Sequence, residues 1–198
     1  MERVRFYYDF ISPYTYLATT QLDALGARTG AEIVWIPAYL SGIMKATGNQ
    51  PPLSRPGRMR SLPRDLTRWA AFYGVPFKMT PYFPLNSLNA MRAACALAAE
   101  RPAAYRPFVD ACFRASWEEE RNLGDPAVWT SLAGEEHRAF VTEAAGDQAW
   151  KDALKKNTDE AVAAGIFGLP AFVVGDDEHF FGNDRLALLE WTLTHPAT

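Results

Sequence analysis

The chain is poor in sulfur and in charge asymmetry, and each shortage excludes a set of functions. Only two of its 198 residues are cysteine, Cys95 and Cys112, both in alanine- and aromatic-rich segments of helical pattern. They are expected to be buried free thiols rather than a disulfide. A formal net charge of -3 and a pI near 5.6 offer no overall attraction to nucleic acid or an anionic membrane, so any cationic site must be local. No apolar run reaches the length that crosses a bilayer. Glu2, Arg3 and Arg5 lead straight into a strand pattern without the apolar core of a secretion signal, and the protein is expected to be cytoplasmic. No internal repeat or low-complexity segment is visible, and no metal site is expected.

What is present is apolar material, 48% of residues, sufficient for the core of one domain or of one domain with a large insertion. The segment FYYDFISPYTYLA, Phe6 to Ala18, reads as a buried strand running into a helix, with Ser12 as N-cap and Pro13 as first helical residue. The first strand is predicted from Val4 to Phe10, the helix from Pro13 to Arg28 with Gly30 ending it, and a second strand from Ala31 to Pro37. Together they form a βαβ unit, which implies a parallel pair with a right-handed crossover.

From Ala38 the composition changes. SGIMKATGNQPP is read as a glycine- and proline-rich loop, followed by a basic segment with Arg55, Arg58, Arg60, Arg64 and Arg68 against the single Asp65. Most of these arginines are expected to form a solvated helix face. Helices follow from Asn89 to Glu100, Ala103 to Glu119, Pro126 to Ala133, Glu135 to Ala145 and Asp147 to Ala164. After Gly165 the pattern returns to sheet, with a strand from Ala171 to Val174 paired as a hairpin with His179 to Phe181. Gly182, Asn183 and Asp184 then cap a last helix that carries Leu186, Leu189 and Leu193 on one face. Neither end has enough strands for a sheet of its own, so the expected fold is α/β with one sheet shared by both chain ends. Residues 1–40 and 160–198 would form that discontinuous domain, and 41–159 a large all-helical insertion.

A strand that feeds a helix N-terminus places unpaired backbone N–H groups and the positive end of the helix dipole together. That favours a thiolate, carboxylate or phosphate, and Ser12 adds a hydroxyl donor. The same Ser-Pro pair also serves simply as a well-made cap.

The βαβ start, the helical block and the return through Leu169-Pro170 into a hairpin and helix resemble the thioredoxin-like fold in its DsbA-type form. The redox members open the first helix with Cys-x-x-Cys, where this chain reads Ser12-Pro13-Tyr14-Thr15, so dithiol chemistry is excluded at that position. The serine version, with GIFGLPAFVV and FFGNDRL, is similar to the glutathione-dependent branch: the kappa-class glutathione transferases and the 2-hydroxychromene-2-carboxylate isomerases. YYDFISPYTYLA lies closer to the isomerases. The resemblance implies glutathione as cofactor, with Ser12 directed at its thiolate, and Pro170 as a cis-proline whose preceding Leu169 pairs with the cysteinyl unit. Gly182, Asn183 and Asp184 would receive the γ-glutamyl end, and Asn49 would also reach glutathione. Lys45, Tyr82 and Asn86 would face a small aromatic carboxylate substrate. The implied reaction is interconversion of 2-hydroxychromene-2-carboxylate and trans-o-hydroxybenzylidenepyruvate by reversible thiolate addition, in aromatic hydrocarbon catabolism, by a homodimer. A kappa-type transferase or peroxidase, and a non-catalytic glutathione- or peptide-binding protein, are the alternatives.

Overall fold

A computed structural model describes residues 2–50 and 56–195. Arg55 lies outside the described residues, as does the side chain of Arg58. A four-stranded mixed sheet of order β2-β1-β3-β4 organises the fold. Its central β1 (Arg3–Tyr8) pairs in parallel with β2 (Glu32–Pro37) and antiparallel with β3 (Ala171–Val174), and β4 (Glu178–Phe181) forms the edge of the β3 hairpin. The sheet therefore joins strands from both ends of the chain. Between β1 and β2 lies α1 (Pro13–Thr29), started by Ser12 and ended by Gly30, whose φ of 71° is the left-handed conformation that glycine adopts without strain.

Helices α2 (Leu40–Thr47), α3 (Pro56–Tyr73), α4 (Leu88–Glu100), α5 (Pro102–Trp117), α6 (Pro126–Ser131), α7 (Glu135–Gly146) and α8 (Gln148–Ala163) separate β2 from β3. A 3-10 turn, Asn183–Arg185, then leads into α9 (Leu186–Thr194). Two expectations are corrected. Most of the segment read as an irregular loop, SGIMKAT, is helix α2: Leu40, Ile43 and Met44 recur at helical spacing, Ile43 is fully buried, and Gly48 ends the helix at φ 70°. β1 stops at Tyr8 rather than Phe10, because the Asp9 carboxylate accepts the Ile11 N–H and turns the backbone out of the ladder.

Strand alternation sends β1 into two separate cores. Val4, Phe6 and Tyr8 face one side with Phe172 and Phe180 and pack against Leu17, Leu22, Phe113 and Trp117. Tyr7 faces the other side with Ala171 and Val173, covered by Ile43 of α2 and Ala161 of α8. The register makes this consistent, since Phe6 stands opposite Phe172 and Tyr7 opposite Ala171. Phe6 stacks on Phe172 at 5.1 Å and meets Trp35 edge-on at 4.8 Å. Tyr8 and Tyr105 share a hydrogen bond at 3.0 Å, and the Tyr105 hydroxyl donates to the Trp35 carbonyl, so the buried phenols are satisfied.

Both cysteines are free and buried, on α4 and α5. Burial pushes the Cys95 thiol up to about 12 and the Cys112 thiol well above the usual range, so neither holds appreciable thiolate at neutral pH. A chromogenic aromatic disulfide should therefore report no reactive thiol in the native protein and two after denaturation; rapid native labelling would contradict the packing of α4 against α5.

Candidate active site

The polar groups around Ser12 are placed by the strand-to-helix junction. Ser12 is nearly buried, with 5% of its surface exposed, and its backbone is extended as an N-cap requires. Its Oγ accepts the Thr15 N–H at 3.1 Å and donates to the Leu169 carbonyl at 3.2 Å. Two residues 157 positions apart are thus joined by one hydroxyl. The Leu169-Pro170 peptide is cis, and the Pro170 carbonyl accepts the Gly182 N–H at 3.0 Å. Ser12, Leu169, Pro170 and Gly182 consequently form one continuous hydrogen-bonded rim. Thr15 is fully buried inside the first turn of α1.

Asn183 and Asp184 occupy the 3-10 turn that continues this rim. Asn183 is buried, and its peptide and side chain are both held by Tyr73 of α3: the phenol donates to the Asn183 carbonyl at 3.1 Å and accepts from Nδ2 at 3.3 Å. Asp184 is half-exposed and pairs with Arg185 at 3.2 Å. Gly182 has a φ of 102°, and a Cβ there would lie 2.4 Å from Asp184 Oδ1. Only glycine lets the Asp184 carboxylate lean back over the rim. The middle of α3 is tied down as well, through the Tyr14 hydroxyl donating to Asp65 at 2.7 Å.

Asn49 is half-buried and donates from Nδ2 to the Phe167 carbonyl at 2.9 Å, which attaches the segment after α2 to the loop that precedes Leu169. Lys45 stands exposed on the last turn of α2. Arg60, Arg64 and Arg68 are exposed on α3, opposite its buried Leu62, Leu66 and Ala70. Tyr82 is 48% exposed, and the following Phe83 packs on Trp117 at 5.9 Å, whose indole N–H donates to the Phe10 carbonyl at 3.0 Å. Asn86 is exposed and its Oδ1 accepts the Leu88 N–H at 3.4 Å, at the start of α4. Ser12, Leu169, Pro170, Gly182, Asn183 and Asp184 therefore form one linked group. Asn49 is one peptide segment away, and Lys45, Tyr82 and Asn86 lie on separate elements.

Sequence reasoning passed over Asp9 and Tyr73. Asp9 is fully buried, and burial raises its carboxyl above the usual range against the pull of the Ser87 hydroxyl and neighbouring backbone N–H groups. The signal was a lone carboxylate inside an apolar, aromatic run. Tyr73 carried none, since its partner lies 110 residues away.

Replacing Gly182 with alanine should cost about 1–3 kcal/mol in urea unfolding, the range for a strained backbone position, because both φ and the Asp184 carboxylate must shift. An alanine variant as stable as the parent would mean that the turn is not constrained by this contact.

The profile of the DSBA-like thioredoxin domain family matches residues 3–194. The chain is 33% identical over 195 residues to 2-hydroxychromene-2-carboxylate isomerase of Sphingobium xenophagum, covering 94% of this chain and 95% of that protein. It is 26% identical to glutathione S-transferase kappa 1 of Caenorhabditis elegans, covering 99% and 92% respectively. A solved 2-hydroxychromene-2-carboxylate isomerase structure superposes with a TM-score of 0.85 at 28% identity, covering 98% of this chain and 95% of the other.

Proposed function

Because the chain belongs to the DsbA-like thioredoxin family, in the branch of the 2-hydroxychromene-2-carboxylate isomerases and kappa-class glutathione transferases, we propose that it is a glutathione-dependent isomerase. Its substrate would be 2-hydroxychromene-2-carboxylate or a close aromatic carboxylate, interconverted with the trans-benzylidenepyruvate form. The observation that carries this reading is the Ser12 hydroxyl held between the α1 N-terminus and the Leu169 carbonyl. It is a donor at a site that favours sulfur anions, in a chain whose own thiols are buried elsewhere.

The donor set fits glutathione. Ser12 and the first turn of α1 suit a thiolate, the Leu169 backbone suits an extended peptide, and the turn that Gly182 opens offers the Asn183 and Asp184 N–H groups for a carboxylate and the Asp184 anion for an amine. Asn49 would meet the same peptide. Glutathione, when bound, supplies the nucleophile for reversible conjugate addition and elimination. The residues of this chain bind and orient. The Ser12 proton would turn from the Leu169 carbonyl towards the sulfur, leaving that carbonyl to accept a peptide N–H. Asp184 would hold the amine, and Lys45, with Tyr82 and Asn86, would hold the aromatic carboxylate. A homodimer in the cytoplasm belongs to the same reading, by likeness to the family.

Progress curves with the chromene acid at varied glutathione test the class. Turnover without net glutathione loss is expected; stoichiometric consumption would indicate a kappa-type transferase or peroxidase, and no acceleration over the solution rate a binding protein.

Ser12→Ala is expected to lower kcat/KM by ~10²-fold or more, the cost of one preorganised donor to an anion. Loss of the cap should remove about 1 kcal/mol of stability. Ultraviolet titration of bound glutathione should give a thiol pKa below that of free glutathione in the parent protein, moved upward in the variant. Near-normal turnover would remove Ser12 from its role.

Lys45→Met is expected to raise substrate KM by about tenfold while leaving glutathione affinity little changed, and Arg64→Gln to have a much smaller effect. Steady-state kinetics decide this. A silent Lys45 with a loss of saturation in the arginine variant would move the carboxylate site to α3.

A further inference from the structure

Asp9 makes three separate attachments to backbone, and they lead to different parts of the proposed site. Its carbonyl accepts the Ser12 N–H at 3.2 Å, and its Oδ1 accepts the Ile11 N–H at 3.1 Å, which together fix the turn that presents Ser12. Its Oδ2 accepts the Leu40 N–H at 2.8 Å, at the start of the helix that carries Lys45. We infer that Asp9 is a positioning residue that holds the thiol-facing turn and the substrate-facing helix α2 in register through a single buried carboxylate. This inference rests on the function proposed above.

Plain structural anchoring of α2 does not require Asp9. The adjacent Tyr39 N–H is held independently by Thr158 Oγ1 at 3.0 Å, from α8, so the helix start has a second tether that never touches the Ser12 turn. What Asp9 adds is the connection between the two segments. A carboxylate has the lone pairs to accept from both sides at once, whereas an asparagine at this position has one acceptor oxygen and must turn an amide N–H towards the other donor. Burial also raises the carboxyl, so its charged form is held at a cost that an apolar residue would avoid. Small displacements of either segment are enough to matter, because binding groups act only when held within a fraction of an ångström.

The test compares Asp9→Asn with Thr158→Val in the full chain, measuring glutathione Kd by calorimetry and substrate KM by steady-state kinetics. Asp9→Asn is expected to raise both constants, by about tenfold each, and Thr158→Val to raise substrate KM alone. An Asp9→Asn protein that is folded but has both constants unchanged, or only one of them moved, overturns the inference. If Asp9→Asn does not fold, amide exchange in the parent protein decides: saturating glutathione must slow exchange at Leu40 as well as at Ile11, and protection of Ile11 alone overturns the link. If the parent binds no glutathione, the proposed function fails separately. The link is then judged by whether Asp9→Asn speeds exchange at Ile11 and Leu40 together, and an unchanged rate at either residue overturns it.

Discussion

Antiparallel pairing of β1 with β3 is the constraint on which the site depends. Through it Val4 stands opposite Val174 and Tyr7 opposite Ala171, and the strand ends bring Ser12 and Leu169 within hydrogen-bond reach across 157 positions. The helices between the strands supply packing on both faces of the sheet, through Phe113 and Trp117 on one side and Ala161 on the other. They do not themselves build the Ser12 rim. Its polar atoms come from the segment that follows β1, the segment that enters β3 and the turn that follows β4.

Under the proposed function, the chain contributes donors rather than a reactive side chain of its own. Ser12 has one hydroxyl proton, and it is engaged by the Leu169 carbonyl. In the proposed reading, exchange of partners at this one oxygen would set the state of the rim, with the α1 N-terminus as a fixed positive background. Tyr73 extends the same logic to α3. By gripping both the peptide and the side chain of Asn183, it makes the arginine-bearing helix a support for the turn at Gly182.

Much of this was legible in the sequence where the signal was local. The Ser12-Pro13 cap, the αL glycine at Gly30, the hairpin after Gly165 and the helices from Asn89 onward each follow from short-range chemistry and appear in the fold. Their order, with the return through Leu169-Pro170, resembles the DsbA-type architecture. Helix α2 was hidden because its eight residues contain a glycine and are followed by a second glycine and two prolines, so composition outweighed the Leu40, Ile43, Met44 spacing. Asp9 was hidden for a different reason: a carboxylate that accepts from Leu40, 31 positions away, leaves no periodic trace. The tie between Tyr14 and Asp65 is of the same long-range kind.

The order of the strands also has a consequence for how the protein is made. β1 leaves the ribosome long before its inner neighbour β3, from which all the helices between β2 and β3 separate it. At ordinary translation speeds the interval is roughly ten to thirty seconds. Throughout it β1 has β2 beside it but an open edge on the other side, with Phe6 awaiting Phe172. A nascent chain truncated before Leu169 would carry Ser12 without the carbonyl that holds its hydroxyl, so this polar rim is assembled only once both of its strands have emerged.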